Sequence, residues 1–550
     1  MAMTTGAGTL DWLDWLVLGL YVALIAGAGV MVQWRGRRGG RGGANSTSTD
    51  YFLAGRQMPV WAVAISTLAT AQSAATFVGV PQDTFNGNLT YFMAILGSIP
   101  AAIIIALFFI PAYYRLGVST PYQLLDTRFG AGARLWTSVV YLLGRVFANG
   151  ARIYVGAIPV TLALFGERSD ATMALVIAGF MVFAILYTLR GGLESVIWTD
   201  VVQVAVYMGA AAVAVVLLWK SIPASAGEVM AALRTGGSDG GSKLRIMTLG
   251  FDSSKPLGTD LAAPFTLITA LTGWTLLYIA AFGTDQDLTQ RLLACSSARR
   301  GAWSTIASTL VTIPTVIVFA AIGLLLWVLY ARPDVMGRET PAYAAGDSAD
   351  VFLKWVLHET PAGFAGLMIA GVLAAGPAGI NASLNSMGST VIADIYRPLR
   401  PGRSEAHYVT MGRWAVVAWG VVLGAMAIVC IAWQRSSGET IINFVLNVMA
   451  FAYAGLLGVF FTALFTRRGS TASVVGAMVA GFVVVLILQP TIMPTWVGWT
   501  EWSRERLGGV VIAGPWRLVA GTVVATLVCL AGRPRGRGGE KGKVALGVAA

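Results

Sequence analysis

Two arginines, Arg145 and Arg152, stand inside the otherwise apolar run 135–165. On a helix they would lie roughly 12–15 Å and roughly 22–26 Å from its start, too deep for both to reach a surface easily. Seven residues apart, they project from one helical face. A guanidinium suits two-pronged contact with a carboxylate, so an anionic substrate is one reading; a clamp on carbonyls of neighbouring helices is the other. By position, Asp200 and Asp83 are the acids that look able to pair with them, which leaves room for one uncompensated positive charge. A second concentration of polarity lies at 69–76, where Thr70, Gln72, Ser73 and Thr76 interrupt an apolar run with only small residues between them. The hydroxyls there either bond back to a helix or mark an unwound binding segment. Gln72, bulky and costly to bury unpaired, favours the second. Asp200 sits a few residues inside the run 195–220, and an ionisable group at such depth is a functional hypothesis by default. Its plainer reading is an interfacial Asp paired with a nearby cytoplasmic Arg, or capping a helix.

The elements that position these residues follow from composition. Of 550 residues, 56% are hydrophobic and only 12% charged, and mean hydropathy is +0.71; a soluble chain carries about 25% charged residues. A soluble multidomain enzyme, a disordered chain and a fibre are excluded, and a polytopic membrane protein in the lipid bilayer is expected. A span needs about 20 mostly apolar residues. Such runs occur at 12–33, 59–82, 90–112, 135–165, 172–189, 195–220, 264–283, 302–330, 363–392, 413–433, 441–466, 472–489 and 510–532. The predicted fold class is therefore all-α with about 13 transmembrane helices. Most of the 38 Lys and Arg, Arg291 counted among them, fall in alternate segments that become cytoplasmic if the N-terminus is outside and the C-terminus inside.

The net charge of +12 thus reads as topology. The Arg/Gly run Trp34 to Gly43 follows a span directly and reads as a juxtamembrane basic cluster; no nucleic-acid partner is expected. Cys295, Cys430 and Cys529 have no metal-type spacing. No cleavable signal peptide is expected, since Asp11 and Asp14 precede the first apolar run. No Gly-Lys-Ser/Thr loop for ATP phosphates occurs. His358 and His407 lie in loops with no catalytic constellation, so an enzyme is not expected. Transport driven by gradients, or a channel, remains.

At this point the chain resembles the sodium/solute symporter family. Tyr51-Phe-Leu-Ala-Gly-Arg56 with Pro59 and Trp61 looks like the approach to that family's first core helix, and Ser73-Ala-Ala-Thr-Phe-Val-Gly79 is similar to its broken-helix segment. Tyr187 to Gly192 with Trp198-Thr-Asp200 and Gln203, Asp285-Gln286 with Gln290-Arg291, and Leu384-Asn385-Ser386 with Asp394-Ile-Tyr396 resemble further signatures. The resemblance implies a leucine-transporter-type core of two inverted five-helix repeats, here 59–220 and 264–466. The N-terminal helix and basic loop 1–58, the outer loop 221–263, and two accessory helices with a basic tail in 467–550 surround them. A second broken helix would fall at 264–283, with Thr272-Gly273-Trp274 as its interruption.

The same resemblance implies Na+ as coupling ion, held by carbonyls at Ala69, Gln72 and Ala375 and by a hydroxyl pair that falls on Ala378 and Gly379, which have no side-chain oxygen. Two readings stand. Carbonyls freed around Pro377 replace the hydroxyls, or the site is altered and H+ becomes the alternative ion. In some family members an acid like Asp200 contributes to a second cation site, here with Asn381 and Ser383. Substrate contacts carried over from the sialic-acid branch fall on Ser73 and Thr76. The arginine of that branch maps near Ala148, between Arg145 and Arg152. Tyr278 and Phe282 could gate in place of the aromatic missing at Ala281. The expected function is cation-coupled symport of a small organic anion, a carboxylate or acidic sugar, by a multi-pass protein of the cell membrane. The alternatives are a carrier of neutral solutes such as sugars, amino acids or vitamins, and an uncoupled channel or sensor.

Overall fold

The computed structural model describes residues 10–38, 47–72, 74–237, 241–251, 257–341, 351–437, 441–489 and 512–533. Among these the chain is helical, with no strand, and each predicted apolar run is mostly helical where it is described. Six helices are individually long and apolar enough to cross a membrane. The pair α2 (Val60–Ala71) and α3 (Ala74–Asn86) follows α1 (Trp12–Arg38); the two are bent by 61° and make a seventh span if counted together. Onward come α4 (Leu89–Leu116), α5 (Ala131–Phe165) and α6 (Asp170–Ser221). In α6, Gly192 takes φ 57° and ψ −171°, a backbone shape that a side chain would resist, so α6 is kinked there, and its part from Gly192 to Ser221 is one of the six.

The second half holds α7 (Ala226–Thr235), an amphipathic helix between spans, then α8 (Leu267–Thr284) and the short α9 (Gln286–Leu292). Next are α10 (Ala298–Ala331), α11 (Phe364–Thr390) and α12 (Glu405–Ser437). The last are α13 (Ile441–Phe465), α14 (Thr471–Ile487) and α15 (Gly514–Leu530). The predicted interruption at Thr272–Trp274 is not a break. Helix α8 runs on through two wide π turns, Ala270–Trp274 and Ala280–Thr284, because Gly273 lets Pro515 of α15 press against the helix where a Cβ would meet it at 2.5 Å. Likewise α11 is continuous across Pro377; that side chain, with Gly376 and Ala378, lies outside the described residues.

The broken pair sits at the centre. Phe77 of α3 packs among Phe319, Phe352 and Tyr207, with ring centroids 5.1, 5.6 and 6.4 Å away. Gly323 of α10 lies against α3 so closely that a Cβ would fall 2.3 Å from the Pro81 carbonyl oxygen. The end of α3 is tied to the loop that follows α7. Lys243 is buried, donates from Nζ to the Phe85 carbonyl at 2.6 Å and the Thr84 carbonyl at 3.4 Å, and lies 5.0 Å from the Trp327 ring centroid. These carbonyls end a helix and lack intrahelical donors.

Replacing Lys243 by Ala leaves them buried and unpaired, and a loss of about 1–3 kcal/mol is expected in a thermal melt of the detergent-purified protein. Burial pushes the Lys243 amine down to about 8 against a weaker opposing pull from Asp83. The unfolded chain therefore binds the extra proton between about pH 8 and lysine's ordinary value. Stability should rise with pH across that window, and the rise should vanish in Lys243→Ala.

Candidate functional site

Helix α2 stops at Ala71 because Gln72 turns to extended backbone, φ −75° and ψ 154°, its N–H donating to the Leu68 carbonyl. The carbonyls beyond Leu68 have no helical donor at this end. One of them, Thr70, accepts from Arg152 Nη1 of α5 at 3.3 Å. Ala69 and Gln72 are buried, as is Ala375 across the core. Thr76 is half-buried at the start of α3, and Ser73 lies outside the described residues. Tyr278 and Phe282 on α8 stand with ring centroids 6.1 Å apart. A deep guanidinium and the positive end of the α3 dipole thus meet at the break, where an anion would be favoured.

The second arginine is occupied. Arg145 donates from Nε to Asp285 Oδ1 at 3.1 Å and from Nη2 to Asp285 Oδ2, which also accepts from Tyr453 OH of α13 at 2.7 Å. Asp285 is the N-cap of α9, its side chain accepting from the Asp287 N–H at 2.9 Å. Asp287 in turn lies 3.4 Å from Arg145 Nε and accepts from Ser383 Oγ at 2.5 Å, from Ser386 Oγ, and from Tyr141 OH at 2.8 Å. At the other end of α9, Arg291 pairs with Asp200 Oδ2 at 3.2 Å and donates from Nε to Ser66 Oγ at 2.9 Å. Ser66 Oγ donates to the same carboxylate oxygen at 2.5 Å. Asp200 Oδ1 is buried with no hydrogen-bond partner. All seven residues of α9 are buried. The cavity beside Arg145, Asp285 and Tyr453 measures about 10 Å³, room for about one water.

Two expectations are corrected by this geometry. Arg145 pairs with Asp285 and Asp287, not with Asp200 or Asp83, because the segment after α8 folds back into the bundle. Its charge is compensated. Arg291 does not orient the chain from a cytoplasmic loop; it is fully buried and is the partner of Asp200. Of the residues expected at a second cation site, Asp200 holds Ser66 and Arg291, Asn381 Oδ1 accepts from Thr188 Oγ1 at 3.3 Å, and Ser383 donates to Asp287. At the expected hydroxyl pair, Gly379 has no neighbour within 4 Å of where a Cβ would stand. Sequence reasoning missed Asp287, Ser386, Tyr141, Tyr453 and Ser66. A signal was present for the first: Gln-Asp-Leu-Thr-Gln-Arg contains no Gly or Pro, and Asp287 and Arg291 are spaced as on one helical face.

A chain helical throughout its described residues, with several membrane-length helices and a broken central one, has the architecture of a membrane transporter. Residues 51–483 match the sodium:solute symporter family, and the chain belongs to that family. It is 26% identical over 450 residues to the sodium/sialic acid symporter of Proteus mirabilis, covering 80% of this chain and 84% of that one. It is 24% identical over 479 residues to the human sodium/iodide cotransporter, covering 86% and 69%. The solved substrate-bound, outward-open structure of a Na+-coupled sialic acid symporter shares the fold with a TM-score of 0.76 at 23% identity, covering 95% of this chain and 97% of that one.

Breaking a buried ion pair from one side strands the other charge, at about 3–5 kcal/mol. Arg145→Leu should lose about that much in a denaturation experiment, and Arg145→Leu combined with Asp285→Leu should recover part of it.

Proposed function

We propose that this chain is a sodium-coupled symporter of a small organic anion, a carboxylate or acidic sugar, and that Arg152 contacts the anion. The observation that carries this reading is the Arg152 guanidinium on the Thr70 carbonyl at the break between α2 and α3, beside the N-terminal end of α3. Thr76 is the polar side chain nearest the start of α3, Ser73 is its sequence neighbour, and Tyr278 with Phe282 closes over the site as a gate. The names of two kinds of relative fit: sodium/sialic acid symporters and a sodium-coupled monocarboxylate transporter.

For sodium, the reading takes the Ala69, Gln72 and Ala375 carbonyls, with the open space beside Gly379 available to water or a further carbonyl in place of the lost hydroxyls. The unpartnered Asp200 Oδ1 offers an additional anionic oxygen. The carrier cycles by alternating access, with 13 spans, the N-terminus outside, the C-terminus inside, and inverted repeats at 59–220 and 264–466. In support, a central bent pair opens the first of these repeats.

Uptake into proteoliposomes tests the reading with monocarboxylates, acidic sugars and neutral hexoses, under separate sodium and proton gradients. Saturable, sodium-driven uptake of an anion is expected, and Arg152→Gln should reduce it at least about 100-fold, as losing a charged hydrogen bond of 1.5–3 kcal/mol plus the stranded anion implies. Anion uptake unchanged in Arg152→Gln, or uptake of neutral hexose alone, refutes the anion; a proton gradient sufficing without sodium refutes the coupling ion. Impermeant labelling of single cysteines at residues 5 and 545, after replacement of Cys295, Cys430 and Cys529, should modify the first from outside and the second only from inside.

A further inference from the structure

We propose that Asp287, Ser383, Ser386 and Tyr141 form a binding site for a monovalent cation of sodium's size, additional to the carbonyl site at Ala69, Gln72 and Ala375. The proposal rests on the reading of the chain as a sodium-coupled carrier. Five side-chain oxygens from three helices converge here: both carboxylate oxygens of Asp287 on α9, the hydroxyls of Ser383 and Ser386 on α11, and the Tyr141 phenol on α5. All four residues are at most 1% exposed. Ser383 and Ser386 stand three residues apart and so share one face of α11. They lie roughly one and two turns past Ala378 and Gly379, where the family resemblance places hydroxyls that this chain lacks.

Charge supports a cation there. Arg145 makes its two-pronged contact with Asp285 and comes no closer to Asp287 than 3.4 Å. Arg291 is engaged by Asp200, and reaches Asp287 only at its backbone carbonyl, 2.9 Å from Nη1. The carboxylate of Asp287 accepts from three hydroxyls besides its ion pair with Arg145, and these hydroxyls can change role. Ser383 Oγ also lies 2.9 Å from the Gly379 carbonyl, and Ser386 Oγ lies 3.0 Å from the Ser383 carbonyl. Turning each proton to that backbone acceptor frees oxygen lone pairs towards Asp287, which converts a ring of donors into a ring of ligands.

The test is sodium binding without solute, so that it stands apart from the anion reading. The thermal unfolding midpoint of the full-length protein in detergent is followed against NaCl, with choline chloride holding ionic strength constant. Wild type should be stabilised saturably by sodium. Asp287→Asn should raise the half-saturating concentration at least about tenfold, and so should Ser383→Ala combined with Ser386→Ala. That second variant decides the matter if Asp287→Asn does not fold. No sodium stabilisation of the wild type, or an unchanged half-saturating concentration in the serine variant, overturns the proposal. So does a stabilisation that follows pH in place of sodium, which would make Asp287 a proton site. Failure of anion uptake alongside intact, Asp287-dependent sodium binding would refute the anion reading and leave this one standing.

Discussion

A charge taken out of water must find a partner, and in this protein that requirement organises the interior. Arg145, Arg291, Asp200, Asp285 and Asp287 are each no more than 3% exposed, in a region where an unpaired ion costs several kcal/mol. The answer is α9, a seven-residue helix with an acid near its start and a basic residue near its end. Its N-cap, Asp285, holds Arg145 of α5. Its first turn meets α11 through Ser383 and Ser386. Its last turn meets α2 and α6 through Ser66 and Asp200. One short segment thereby links helices that are far apart in the chain, and the links are directional hydrogen bonds where most other contacts are apolar packing.

That arrangement bears on how a carrier of this fold moves. Any motion that opens the closed region around Arg145 must either separate it from Asp285 or carry both together. Separation leaves charges that need water, an ion or another partner. Access from that side and solvation of these groups are therefore coupled by electrostatics, whatever drives the motion. The break between α2 and α3 is built on a different principle. There the backbone leaves the helix, its carbonyls lose their donors, and Arg152 takes one of them at Thr70. One region is closed by paired side chains; the other is opened by backbone that leaves the helix.

The difference explains which residues could be found before the fold was seen. Arg145, Arg152 and Asp200 stand out because each interrupts an apolar run, and Thr70 to Thr76 stands out as polarity at mid-span. Asp285 and Asp287 do not, because hydropathy falls at 284 and a charged stretch after a span reads as a loop. Arg291 was misplaced for the same reason: a basic residue beside a span looks like an orienting charge. Ser66, Tyr141, Ser383 and Ser386 are ordinary side chains in helices until an aspartate is placed opposite them.

The amino-acid sequence by itself determined the class of protein and the positions of its helices, since burying about 20 apolar residues per span leaves a local, periodic mark. It also determined the family, through short motifs legible in order along the chain. Only the tertiary structure decided the pairing. Arg145 and Asp285 are 140 residues apart, Arg291 and Asp200 are 91 apart, and no local pattern records which acid meets which base. Electrostatic partnership depends on distance in space and on desolvation, and both exist only once the helices have packed.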